Sequence, residues 1–124
     1  MYQDLAGNTP TQAYNLGSPI TAQFRSTVKT AFVGTNDPVD FYRFTLTRSS
    51  SISLSLRNRN QGNADLQLLN QPRKVLFSSQ KGSQQRDTIT AELAEGTYYI
   101  RVFPRKGDVT YQLILAIAQK FLPT

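Results

Sequence analysis

The chain has 124 residues, a formal charge of +6, and neither histidine nor cysteine. That length fits one domain with a real core. The missing side chains exclude Ser-His and Cys-His nucleophile pairs and histidine-bound zinc, and no apolar run approaches the roughly 20 residues of a membrane helix, so no membrane insertion is expected.

Residues 1–20 open without the basic start and apolar stretch of a secretory signal. They carry Gly7, Pro10, Gly17 and Pro19, and read as an extended N-terminal segment packed on the domain through Ala13, Leu16 and Ile20. The domain itself is placed at 21–118, with 119–124 as tail or linker. The β-branched run 28–33 is a strand ended by Gly34, and 34–38 is a turn. A strand over 41–46 follows, stopped by Arg48-Ser49-Ser50. The cleanest alternation comes next: Ile52, Leu54 and Leu56 against Ser51, Ser53 and Ser55, a period of two that buries one face and wets the other. After the polar loop 58–64, a strand over 65–69 turns at Asn70-Gln71-Pro72 into a short one over 75–77. A polar loop around Gly82 leads to an alternating strand over 88–93. Gly96 marks a tight hairpin into 97–103, and 104–108 turns again. The last strand is 111–117, with a short amphipathic helix through Phe121 as the alternative.

About eight strands, spaced roughly 8–12 residues apart, argue for an all-β sandwich or barrel. Its expected core is Phe32, Phe44 and Leu46, Ile52, Leu54 and Leu56, Leu66 and Leu68, Ile89 and Leu93, Tyr98, Ile100 and Val102, and Leu113 with Leu115. If successive strands run antiparallel, loops alternate between two ends. Loops 34–40, 57–64, 79–86 and 104–109 then share one end with Asp37, Asp40, Asp65, Asp87 and Asp108, and with basic residues such as Arg57 and Arg86. Loops 48–51, 70–74 and 94–97 share the other. The first end is expected to be densely charged and of mixed sign, either as a surface ion-pair network or as a contact for a partner or metal.

Three constellations carry chemistry. Asp37 and Asp40 sit three positions apart around Pro38. Calcium takes six to eight oxygens from such bent acidic loops; alternatively Asp37 caps the turn and Asp40 accepts backbone N–H groups at the strand start. Strand alternation puts Tyr98, Ile100 and Val102 on one face and Tyr99, Arg101 and Phe103 on the other, with Tyr42 and Arg43 extending the second row. Exposed, that row binds sugar rings or peptide; the alternative is packing beneath the N-terminal segment or arginine stems. Asp65 reads as a buried acceptor tethering its loop. No catalytic residue is assigned and no enzyme is expected. Asp37 with Asp40, or Glu92 with Glu95, stay open as facing carboxylates, and Gly82 and Gly96 stand alone rather than in a phosphate loop. The 14 basic residues never run beyond two in a row. They raise an acidic polysaccharide or nucleic acid as partner, but a nucleic-acid footprint concentrates cations on one stripe, so nucleic acid is not the expected partner.

Four blocks resemble bacterial pre-peptidase C-terminal domains of the cyanobacterial type. They are Asp4-Leu5-Ala6-Gly7-Asn8-Thr9; the run from Phe32 through Asn36-Asp37-Pro38-Val39-Asp40-Phe41 to Phe44; Ala64-Asp65-Leu66-Gln67-Leu68-Leu69; and Gly96-Thr97-Tyr98-Tyr99-Ile100-Arg101-Val102-Phe103-Pro104. They occur in the family's order and span residues 4–117. The resemblance implies a jelly-roll-like β-sandwich of two antiparallel sheets. It also implies a non-catalytic accessory domain of a larger exported or surface protein, hence an extracellular or periplasmic location, with the signal outside this chain. The partners it implies are a parent peptidase or other domains, and a polysaccharide or protein polymer. The family is similar to the collagen-binding domains of clostridial collagenases, some of which bind calcium. On that resemblance Asp4 and Asn8 join Asp37 and Asp40 as calcium ligands; no other cofactor is expected. The alternative function is a carbohydrate- or protein-polymer-binding module using Tyr99, Arg101, Phe103 and Arg43. A third class, a polyanion binder, predicts affinity that falls steeply with salt.

Overall fold

The computed structural model describes residues 7, 13–17, 23–33, 39–58, 63–71, 74–79, 87–106 and 109–119, without the side chains of 23–32, 58, 63, 105 and 106. Among these residues lie nine strands: β1 (Tyr14–Gly17), β2 (Gln23–Val33), β3 (Asp40–Leu46), β4 (Ser50–Asn58), β5 (Asn63–Asn70), β6 (Val75–Ser79), β7 (Asp87–Leu93), β8 (Gly96–Lys106) and β9 (Val109–Gln119). They form a five-stranded sheet of order β1-β3-β8-β5-β6 and a four-stranded sheet of order β2-β9-β4-β7. All pairs are antiparallel except β1 with β3, which is parallel. Among the described residues no helix is long and apolar enough to cross a membrane.

The two-residue period decides which face each strand buries. In β4, Ile52, Leu54 and Leu56 are at most 3% exposed, while Ser51, Ser53 and Ser55 point outward. β4 lies between β7 and β9, so its alternation is that of a central strand with one dry face. The inward residues of both sheets form one core, and every described member of the expected list belongs to it. The side chain of Phe32 lies outside the described ones. Leu16 of β1 joins the core as well. The last segment is strand, not helix, over its whole described length.

Consecutive strands change sheet at every step except β5 to β6. The turn at Gly96 is therefore not a hairpin: β7 pairs with β4, whereas β8 pairs with β3 and β5. It is a corner between sheets. Gly96 has φ 144°, a backbone that L side chains rarely adopt, and the Tyr98 hydroxyl donates back to the Ala94 carbonyl at 2.9 Å, tying the corner. β8 also continues through Pro104, where a turn was expected. That stretch lies beyond the last β3 partner, Val102, and faces a register shift in β5, a place where a missing N–H is tolerated.

The strand directions put the starts of β3, β5, β7 and β9 at one end of the sandwich, as the alternation of loops predicts. Of the aspartates there, Asp65 is buried as its reading predicts, Asp40 and Asp87 differ from a surface placement, and Asp37 and Asp108 lie outside the described residues. Asp40, Asp65 and Asp87 are 0%, 0% and 1% exposed, so none of the three stands on the wet surface. Asp40 and Asp87 open their strands opposite Val102 and Leu56, both core residues, and strand parity turns their side chains inward.

Candidate functional site

Two places collect the chemistry-bearing residues. The first is inside the sandwich. Tyr111 of β9 donates its hydroxyl proton to Asp40 Oδ2 of β3 at 2.5 Å. With that proton committed, the 2.6 Å contact between Tyr42 and Tyr111 has Tyr42 as donor. The chain Tyr42–Tyr111–Asp40 thus ties one sheet to the other through buried oxygens. Burial pushes the Tyr111 phenol well above the ordinary tyrosine range, and the neighbouring Tyr42 and Asp40 push it further. Parity carried this signal in the sequence: Asp40 shares its face with Tyr42, Phe44 and Leu46, and Tyr111 shares its face with Leu113 and Leu115.

This arrangement bears on the calcium ligands. Asp40 faces the core, not a loop, and its carboxylate holds Tyr111. Asp37, Asp4 and Asn8 lie outside the described residues, although Gly7, next to Asn8, bridges to Phe41 beside Asp40, with the Phe41 N–H donating to the Gly7 carbonyl at 2.9 Å. Among the described residues no three acidic side chains converge on a metal position. The described residues therefore do not form a calcium cage, which needs several oxygens open to one point. Of the facing-carboxylate alternatives, Asp37 with Asp40 falls partly outside the described residues. Glu92 takes a hydrogen bond from Ser51 at 3.1 Å on the rim of an open hollow of about 220 Å³, whose lining contains no second carboxylate.

The second place is the outer face of the five-stranded sheet. Register sets its rows: Phe41, Arg101 and Gln67 lie side by side, as do Asn15, Arg43, Tyr99 and Leu69. Here the expected Tyr99-Arg101-Phe103 row is brought together with Arg43, but not as an exposed aromatic strip. Tyr99 is only 9% exposed, and its neighbours Phe41 and Leu69 are 8% and 6%. Phe103 is half-buried, and the Arg101 guanidinium lies 4.5 Å from its ring centroid. Arg101 also donates to Gln67 Oε1 at 3.0 Å. These apolar groups make a nearly buried floor, and Arg43 and Arg101, both half-buried, share the face with them. Thr45 and Thr97 bond to each other at 3.1 Å at the far end of the same face. Sequence alternation located β8's share of this face; Phe41, Leu69 and Gln67 were missed because they come from strands that are neighbours only in space.

The comparisons with known proteins agree with this architecture. The profile of the family described as bacterial pre-peptidase C-terminal domain matches residues 38–104, more than half of the chain. Among solved structures, the pre-peptidase C-terminal domain of collagenase from Bacillus anthracis superposes with a TM-score of 0.68 at 19% identity, covering 82% of this chain and 92% of that one. The Yersinia pseudotuberculosis-derived mitogen superposes at 0.57 and 12% identity, covering 82% and 90%; at such identities the likeness concerns the fold alone. None of the curated proteins compared with the chain matches it. The matched residues contain β3 through most of β8, including both arginines of the outer face and Asp40, and on that match the chain belongs to the bacterial pre-peptidase C-terminal domain family.

Proposed function

We propose that this domain is a non-catalytic accessory module of a larger exported protein, acting by attachment to a polymer or by assisting folding and export. The observation that carries the reading is the family match over residues 38–104, supported by the likeness in fold to the collagenase domain. The chain's chemistry agrees with it: a sequence without histidine or cysteine has few ways to activate a nucleophile or hold a catalytic metal. In this reading the sandwich is a rigid carrier, and recognition belongs to side chains displayed on a sheet. The polymer-binding reading is favoured by one observation, the collection of Arg43, Tyr99, Arg101 and Phe103 on a single outer face.

The test is co-sedimentation of the chain with a panel of insoluble polysaccharides and fibrous proteins, alongside secretion of a host protein with and without the domain. Pelleting with one polymer class supports attachment. A drop in secreted yield on deletion, with no pelleting, supports the folding and export role. Neither effect, or turnover of any panel polymer by the purified chain, overturns the proposal.

A further inference from the structure

We propose that the outer face of the five-stranded sheet binds a carboxylate-bearing polysaccharide, a chain of uronic acid units, through Arg43 and Arg101. This rests on the polymer-attachment reading above and narrows the polymer. Four observations lead to it. First, Tyr99, Phe41 and Leu69 are each less than 10% exposed, and Phe103 lies beneath a guanidinium. Little open ring face is left for stacking a neutral sugar, which is how aromatic platforms hold one. Second, the groups that rise from this floor are two arginines on diagonal positions, since Arg43 pairs with Tyr99 and Arg101 pairs with Phe41. Among the described residues neither meets a carboxylate; Arg101 is held by Gln67 and Phe103. The acid on this face, Asp65, is fully buried. A guanidinium fixed by an amide and a ring keeps further N–H donors for a planar, bidentate acceptor, and a carboxylate matches that fork.

Third, the surroundings are neutral amides and hydroxyls: Asn15, Gln67, Thr45 and Thr97. These suit sugar hydroxyls. They also dilute the positive charge below that of the Lys/Arg-dense patches that take heparin-like sulfated chains or nucleic acid. Fourth, β3, β8 and β5 are interior strands with both edges paired over this region. A peptide therefore cannot add as a strand there, and side chains must do the reading.

The test uses the chain in native affinity gels containing polygalacturonate, heparin or dextran. Retardation by polygalacturonate, weaker by heparin and absent with dextran, supports the proposal. The double variant Arg43→Gln/Arg101→Gln should lose about tenfold or more in affinity, as expected for two charge-assisted forks. Arg48→Gln/Arg57→Gln, the same change in charge off this face, should stay within about twofold, since single charges act weakly through salt. Equal losses in both double variants mean general charge attraction and overturn the site, and preference for heparin overturns the uronate assignment. Binding to dextran or another neutral polymer but not to polygalacturonate overturns this inference and leaves polymer attachment standing; binding to no polymer removes both. If the outer-face variant does not fold, amide shifts of the unaltered chain on adding oligogalacturonate decide: changes centred on Arg43, Gln67, Tyr99 and Arg101 support the site, and changes elsewhere overturn it.

Discussion

Tyr111→Phe tests the inter-sheet chain directly. The substitution keeps the ring and its packing and removes one oxygen, so little cavity forms. Two hydrogen bonds go with it: the donation to Asp40 at 2.5 Å and the acceptance from Tyr42 at 2.6 Å. A hydrogen bond to a charged group contributes about 1.5–3 kcal/mol, and a buried hydroxyl left without its acceptor costs about 1–3 kcal/mol. Together the variant should lose about 3–5 kcal/mol, the range found when one partner of a buried charged contact is removed. At about 4 °C per kcal/mol for a domain of this size, melting falls by about 12–20 °C. Tyr42→Phe should cost less, about 0.5–1.5 kcal/mol, because Tyr111 still donates to Asp40. The pH dependence follows from the raised Tyr111 phenol. The unfolded tyrosine ionises near pH 10, so the stability this group contributes is complete below that pH and is lost as pH climbs toward the raised folded value. Urea unfolding followed by circular dichroism should therefore show a steeper alkaline decline for the wild type than for Tyr111→Phe. A loss under about 1 kcal/mol at neutral pH, or no difference in the alkaline slope, would refute the account.

The other predictions concern the corner, the core and the metal. Gly96→Ala meets no clash, since its Cβ would lie 3.9 Å from Tyr98 Cε2, but the backbone at φ 144° should cost about 1–3 kcal/mol in a urea titration; a neutral result means that the corner relaxes freely. Leu54→Ala, at a fully buried site, should cost about 2–5 kcal/mol, while Ser53→Ala on the same strand should stay within about 0.5 kcal/mol. Equal effects would mean that β4 is out of register. Thermal melts in calcium and in chelator should coincide, because Asp40 is already engaged by Tyr111. A calcium-dependent rise, expected by mass action if an ion binds the folded state, would show a bound ion and restore the acidic segment as its site.

How much of this was legible beforehand depends on the range of the signal. β4 and the inward half of β8 are set by local alternation, and local alternation is in the sequence. The same rule applied to Asp40 and Tyr111 would have placed both in the core, but a carboxylate at a strand start also satisfies a turn, and the two readings differ only in which way parity is counted. The corner at Gly96 was misread as a hairpin because its local chemistry, a glycine followed by alternating aromatics, is the same whether the next strand joins its own sheet or crosses over. Pairing across β3, β8 and β5 links residues near 41, 67 and 101, and no local pattern carries that information. Hence the buried floor under Arg43 and Arg101, and the parallel pairing of β1, had to come from the fold.

The two outer faces of the sandwich differ in what stands at their centres. On the four-stranded sheet Ser51, Ser53 and Ser55 share the outward face with Thr88, Thr90 and Ala116, and by register with Glu92, Arg57, Gln112 and Ile114. On the five-stranded sheet the outward positions carry Arg43 and Arg101 beside the nearly buried Phe41 and Tyr99, with Phe103 under the Arg101 guanidinium. Ordering an arginine side chain on a surface costs about 1.5–2 kcal/mol of rotamer entropy, and an exposed pairing with an amide recovers only part of it. That cost is the reason for placing the proposed recognition on the five-stranded face, where the Arg101 guanidinium is held by Gln67 and Phe103.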